Sequence, residues 1–225
     1  MEQTAETLKE NVQRLYERVE KACAQCGRRW EDIRIVAATK CVPQSTAELL
    51  PALGISTAGE NRVQEFTEKY RADTPLCWHI IGALQTNKVK YAVGKVQMIQ
   101  SVDRISLLDE IDRLSGMRGV VTDILLEVNI GGEENKSGVA PEEIGALAQA
   151  AAARKNVRLC GLMSVPPVDA DIAMYERMRT LYERLQKDCA GINVLSMGMS
   201  NDLEKAIYGG ATMIRPGRAL FGARG

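Results

Sequence analysis

The sequence predicts an α/β protein, a single (β/α)8 TIM barrel preceded by one additional N-terminal helix. Three observations carry that prediction. Short apolar runs, most of them rich in β-branched residues, recur eight times, each separated from the next by a stretch of helical periodicity. Spread over 225 residues, eight units take about 28 residues each, a repeat that suits a closed parallel barrel better than the alternative, an open doubly wound sheet. No Pro-rich or Ser-rich linker and no low-complexity segment divides the chain, so residues 1–225 read as one domain.

Leu8, Val12, Leu15 and Val19 fall on one helical face, and the pattern stops at Cys26-Gly27, where glycine can close the helix. This helix is expected to cap the base of the barrel. Ile33-Arg34-Ile35-Val36-Ala37-Ala38-Thr39 is almost continuously apolar, as suits a strand buried on both faces. The alternation then repeats: a helix near 43–53, a strand near 55–58, a helix near 61–71 and a strand at 77–81. A helical turn near 86–93, a strand at 98–102, a helix at 104–115 and a strand at 124–128 follow. Next come a helix at 141–154, a strand at 158–163 and a helix at 170–189 with a stripe of Met174, Met178, Leu181 and Leu185. A strand near 193–196, a helix near 201–208 and a strand near 212–214 end the series.

Composition limits the chemistry. Hydrophobic residues make up 45% and charged residues 26%, enough for a packed core and wrong for a disordered or disulfide-scaffold chain. Lys plus Arg equals Asp plus Glu at 29 each, so no overall basic field exists to hold nucleic acid or an anionic membrane. The single histidine, His79, excludes a histidine-rich metal centre and any mechanism needing two imidazoles. Lysine, arginine, hydroxyls and backbone amides are left to carry the function. The start of the chain lacks the basic and apolar regions of a secretory signal, and no apolar run approaches the ~18 residues of a membrane span; a cytoplasmic protein is expected. Of six cysteines, Cys23 and Cys26 have metal-knuckle spacing, but no second ligand pair exists, and they read as two thiols near a helix end.

In a barrel of this class the active face lies at the carboxyl ends of the strands. The first strand ends in Thr39-Lys40: either a partly desolvated amine able to form a Schiff base with an aldehyde, or a solvated lysine opening a loop. After the second strand Asn61 can cap the following helix and Glu65 can support it. His79, inside Trp78-His79-Ile80-Ile81, reads first as a satisfied core residue and second as a site residue. Met163 ends the sixth strand near the mouth. Ser196 to Asp202 joins a strand to a helix whose first-turn amides attract an anion beside Ser200, and Gly217 lets the backbone approach a ligand after Arg215. Loops after strands seven and eight often bind phosphate in this fold. A lysine, an anion site and an arginine on one face suit a phosphorylated aldehyde better than plain helix capping does.

The segments VAATK, GENRVQE, WHIIGALQTNK, VNIGGEENKSG, GLMSVPP, LSMGMSNDLEKAI and TMIRPGRALFG span residues 36–222 in order. In these the chain resembles the pyridoxal phosphate homeostasis protein family, related to the N-terminal barrel of alanine racemase. The resemblance implies pyridoxal 5′-phosphate (PLP) held as an internal aldimine on Lys40. Ser200 and the amides at Gly217 and Arg218 would hold the phosphate, Arg215 would face the pyridine nitrogen, and Asn61, His79 and Met163 would line the pocket; Cys41 has no matching role. A cationic arginine leaves the ring nitrogen unprotonated and the ring a poor electron sink. The last motif ends at Gly222, three residues before Gly225, so the second domain from which alanine racemase draws another base is expected to be lacking. The expected function is therefore intracellular storage, buffering or delivery of PLP, without robust turnover. No metal is expected, and the expected state is a monomer with PLP-dependent apoenzymes as recipients. The alternatives are a single-domain PLP-dependent amino-acid racemase or lyase, and a phosphosugar aldolase using Lys40 without pyridoxal.

Overall fold

In the computed structural model, which describes residues 4–222, every strand pair is parallel and the sheet closes on itself. Residues 1–3 and 223–225, including the Gly225 end considered above, lie outside the described residues. The strands are β1 (Arg34–Ile35), β2 (Ala37–Ala38), β3 (Thr57–Glu60), β4 (Cys77–Ile80), β5 (Met98–Val102), β6 (Thr122–Val128), β7 (Val157–Ser164), β8 (Val194–Ser196) and β9 (Met213–Ile214). The first predicted strand is present as two pieces, β1 and β2, because it changes neighbours at Val36. Arg34 and Ile35 pair with Met213 and Ile214, whereas Ala37 and Ala38 pair with Ala58 and Gly59. That switch closes eight strand positions into a barrel and settles the choice against the open sheet.

Inward-facing Val36, Ile81, Met98, Leu125, Met163 and Met213 belong to a separate apolar cluster inside the barrel; a larger one lies between sheet and helices. Gly161, at φ +155°, takes part in a register shift between β6 and β7; a Cβ there would lie 1.8 Å from the Val194 carbonyl oxygen, so no other residue fits.

The helices are α1 (Ala5–Gln25), α2 (Gln44–Ala47), α3 (Val63–Lys69), α4 (Val89–Ala92), α5 (Ile105–Met117), α6 (Ile144–Ala152), α7 (Ile172–Asp188), α8 (Leu203–Tyr208) and α9 (Arg218–Phe221). Thr4 caps α1 by accepting from the Thr7 amide at 3.2 Å, and Leu8, Val12, Leu15 and Val19 are all buried, as the stripe requires. The helix does not cap the base. It lies along α8 and α9 at the side of the barrel, with Tyr16 alone of its residues bordering the cavity at the barrel's base. On α7 the buried face carries Tyr175, Met178, Tyr182 and Leu185, rotated from the predicted methionine stripe. The tyrosines win because their hydroxyls find partners: Tyr175 donates to Asp202 Oδ2 at 2.7 Å, and Tyr182 accepts from Gln186 at 3.0 Å.

Candidate functional site

Lys40 follows β2 at the carboxyl end of the barrel, half-buried, and its amine makes no hydrogen bond or ion pair with any described residue. Its flanking residues are fixed on both sides. Thr39, fully buried, donates from Oγ1 to Glu60 Oε1 at 2.6 Å, and Lys69 Nζ donates to the Thr39 carbonyl at 2.8 Å and to Glu60 Oε1 at 2.7 Å. Burial pushes the Glu60 carboxyl above the usual carboxylate range, against the bonds from Lys69 and Thr39 that pull it down. On the other side Cys41 stands at φ +61°, rare for a side chain other than glycine, and its amide donates to Glu65 Oε2 at 2.9 Å. Glu65 therefore holds the turn after Lys40 rather than merely supporting α3. Asn61 does not cap that helix, whose N-cap is Arg62 without a side-chain bond. Its backbone instead packs against Gly82, where a Cβ would lie 2.6 Å from the Asn61 carbonyl oxygen.

Barrel closure places the last loop beside Lys40. The Ala38 amide donates to the Pro216 carbonyl at 2.9 Å, and a Cβ on Gly217 would come within 3.3 Å of the Ala38 carbonyl oxygen. Ser200 Oγ accepts from the Gly217 amide at 3.1 Å and the Ala219 amide at 2.9 Å, which leaves its O–H to donate. The amides of Ser200, Asn201 and Arg218 donate to no acceptor among the described residues. Because α8 begins at Leu203, not 201, Ser200 stands ahead of the helix, and the last loop supplies the donors that meet its oxygen, Ala219 among them. The Arg218 side chain is exposed; only its backbone belongs to the cradle. From α1, Arg18 Nη2 donates to the Ser200 carbonyl at 3.0 Å while pairing with both oxygens of Glu204 at 2.8 and 2.9 Å.

Below this cradle Arg215 is 3% exposed. Its Nη1 donates to Ser196 Oγ at 2.6 Å and its Nη2 to the Ser164 carbonyl at 2.8 Å. Burial lowers the guanidinium to about 10, opposed by Glu127 and Asp202, so it stays cationic at neutral pH. Ser196 donates to Gln100 Oε1 at 2.7 Å, and Gln100 Nε2 lies 2.8 Å from His79 Nδ1. The structure thus places His79 within the barrel core and not at its mouth. It borders a cavity of about 450 Å3 at the base, together with Met98 and Met213, and burial pushes the ring down to about 4. Met163, fully buried, lies inside the barrel in register with Glu127 and Ser196, under the mouth.

The family described as alanine racemase, N-terminal domain, matches residues 5–225. A pyridoxal phosphate homeostasis protein of Aquifex aeolicus is 45% identical over 222 residues, which cover 96% of this chain and 97% of that one. The chain belongs to the pyridoxal phosphate homeostasis protein family. Among solved structures, PipY of Synechococcus elongatus with PLP bound is 30% identical, with a TM-score of 0.75, covering 91% of this chain and 100% of that chain. An alanine racemase of Clostridium difficile 630, 15% identical with a TM-score of 0.74, covers 96% of this chain and 57% of its own and shows the shared fold alone.

In this barrel the motifs leave one mouth residue out. Glu127 faces inward from β6, 7% exposed, and its Oε2 is buried with no partner among the described residues. Burial first, then the charge of Asp103, push it to about 7, with Arg215 pulling the other way. Its signal was legible: a lone carboxylate inside the apolar run Ile124-Leu125-Leu126-Glu127-Val128. Gln100, inside Met98-Ile99-Gln100-Ser101-Val102, announces itself in the same way.

Proposed function

We propose that this chain binds PLP at the carboxyl end of its barrel and stores, buffers or delivers it in the cytoplasm, as a monomeric single domain with PLP-dependent apoenzymes as recipients. The names of its relatives and the PLP-bound PipY structure support the choice of ligand. One observation in the chain itself carries the reading: an amine without a partner, Lys40, is hydrogen-bonded through its strand to the loop that carries Gly217 and the Arg218 amide. The donor set fits the cofactor. PLP supplies an aldehyde carbon, which a neutral amine attacks reversibly with loss of water; in this reading that amine is Lys40, held as a Schiff base.

The phosphate falls to the Ser200 hydroxyl, to the amides of Ser200, Asn201 and Arg218, and to the Gly217 amide, since a charged acceptor outcompetes the hydroxyl now receiving it at 3.1 Å. Arg215 faces the ring nitrogen and, remaining cationic, keeps it unprotonated, which favours retention over carbanion chemistry. Asn61 forms a wall and Met163 the floor. No helix among the described residues is long and apolar enough to cross a membrane. The test is optical and chemical: purified protein absorbs in the visible, borohydride fixes the adduct, and Lys40→Ala loses the fixed adduct. An unchanged adduct in that variant overturns the lysine assignment, and fast turnover of chiral amino acids beyond stoichiometry overturns the storage reading.

A further inference from the structure

Arg215 and His79 are joined by one run of buried hydrogen bonds whose direction follows from its fixed end at Arg215 and the orientation of the Gln100 amide. A guanidinium can only donate, so the 2.6 Å contact is Arg215 Nη1 giving to Ser196 Oγ. The Ser196 hydroxyl proton goes the other way, to Gln100 Oε1 at 2.7 Å. With its carbonyl committed to Ser196, Gln100 must turn its NH2 toward His79 Nδ1, 2.8 Å away. An amide nitrogen has no lone pair to accept with, so Nδ1 is the bare nitrogen and the ring proton sits on Nε2. Arg215, Ser196 and Gln100 are 3%, 0% and 0% exposed, so water cannot repair a broken link between them, while the His79 ring, 4% exposed, turns its other side to the basal cavity and Gln97. Reversing any one link sets two donors, or two acceptors, face to face.

We propose that His79, Gln100 and Ser196 are positioning residues for Arg215: the relay pins the guanidinium from below and ends on an uncharged ring, leaving Arg215 aimed upward at the ligand. The Ser164 carbonyl holds the second nitrogen, at 2.8 Å, so two of the three guanidinium nitrogens are fixed by the barrel interior. The inference rests on the reading of Arg215 as the neighbour of the PLP ring nitrogen. It gives the chain's one histidine a role at a distance, through Gln100 and Ser196, where a pocket-lining role would require it at the mouth.

Because the chain has a single histidine, nitrogen-15 NMR of histidine-labelled protein reads the relay without ambiguity. In the protein free of PLP we expect a neutral ring, bare at Nδ1 and protonated at Nε2, that titrates only near pH 4. Loading with PLP should perturb those signals in the wild type and not in Ser196→Ala, where the relay is cut. In holoprotein, His79→Leu and Ser196→Ala should still form the Lys40 adduct. Their visible band should shift, and PLP should leave about tenfold faster, the scale of one orphaned buried donor. His79→Asn, which presents an oxygen near the place of Nδ1, should restore both properties. A ring bare at Nε2 overturns the relay, and so do His79→Leu and Ser196→Ala holoproteins that match wild type in band and release rate. A wild-type protein that takes up no PLP overturns instead the function on which the relay's role depends.

Discussion

Ser200 joins two loops through one oxygen. By accepting from Gly217 at 3.1 Å and Ala219 at 2.9 Å it draws the loop after β9 onto the loop after β8 and still has a proton to give. Ser200→Ala removes that donor and strands the Ala219 amide, and each lost bond is worth about 1 kcal/mol. The expected result is a fall in PLP affinity of about 10- to 100-fold by equilibrium dialysis, with the Lys40 adduct still formed at saturating PLP. Unchanged affinity would remove Ser200 from the phosphate site. Lys40, Ser200, Arg215 and Gly217 were legible in the sequence because each lies in the loop that follows a strand, where a barrel presents its site. Glu127 and Gln100 stand out as polar residues within apolar runs, but a strand buried on both faces does not tell from sequence which of its residues point inward. The depth of His79 was not legible at all: it follows from the register Gly59, His79, Met98 across three strands, which no single strand encodes.

Among the elements, α1 has the most consequence for the site. Its stripe showed that one face is buried, yet a stripe says nothing about which element covers it, and the helix settles along α8 and α9 instead of under the barrel. From there Arg18 reaches the Ser200 carbonyl at 3.0 Å, and Asn11 donates to the Leu220 carbonyl at 2.7 Å, one contact on each phosphate-side loop. The side chains of the Arg18–Glu204 pair are 38% and 36% exposed, so solvent screens it and its direct worth is at most about 1 kcal/mol. Arg18→Ala should therefore shift the urea unfolding midpoint little while speeding PLP release severalfold. Leu15→Ala, at a 1% exposed position, should do the opposite, costing about 2–5 kcal/mol of stability with release nearly unchanged. If both variants lose stability and speed release in proportion, α1 is packing alone. The four-residue α9 escaped the sequence pattern because it is too short to show a period.

For the molecule as a whole, a formal net charge of zero conceals two buried groups that titrate in opposite senses. His79 takes a proton near pH 6.5 when unfolded and only near pH 4 when folded, so its contribution is complete above 6.5 and is lost as pH falls toward 4. Glu127 loses its proton near pH 4.5 when unfolded and near pH 7 when folded, so stability is complete below 4.5 and declines as pH rises toward 7. Each displacement corresponds to about 3 kcal/mol. Between pH 4.5 and 6.5 the slopes of these two groups oppose and offset one another in the protein free of PLP. Glu127→Gln removes one of them: relative to wild type its stability should climb with pH through that interval and exceed that of wild type at pH 8 by up to about 3 kcal/mol, with the two proteins converging near pH 4. Glu60, also raised by burial, is present in both and cancels in the comparison. Urea denaturation of both proteins from pH 4 to pH 8 decides the matter. Parallel curves would mean that Glu127 ionises as an ordinary surface carboxylate, and that its unpartnered Oε2 is solvated in solution; diverging curves would mean that the mouth of the barrel keeps a carboxyl destabilised beside Arg215 until a ligand arrives to satisfy it.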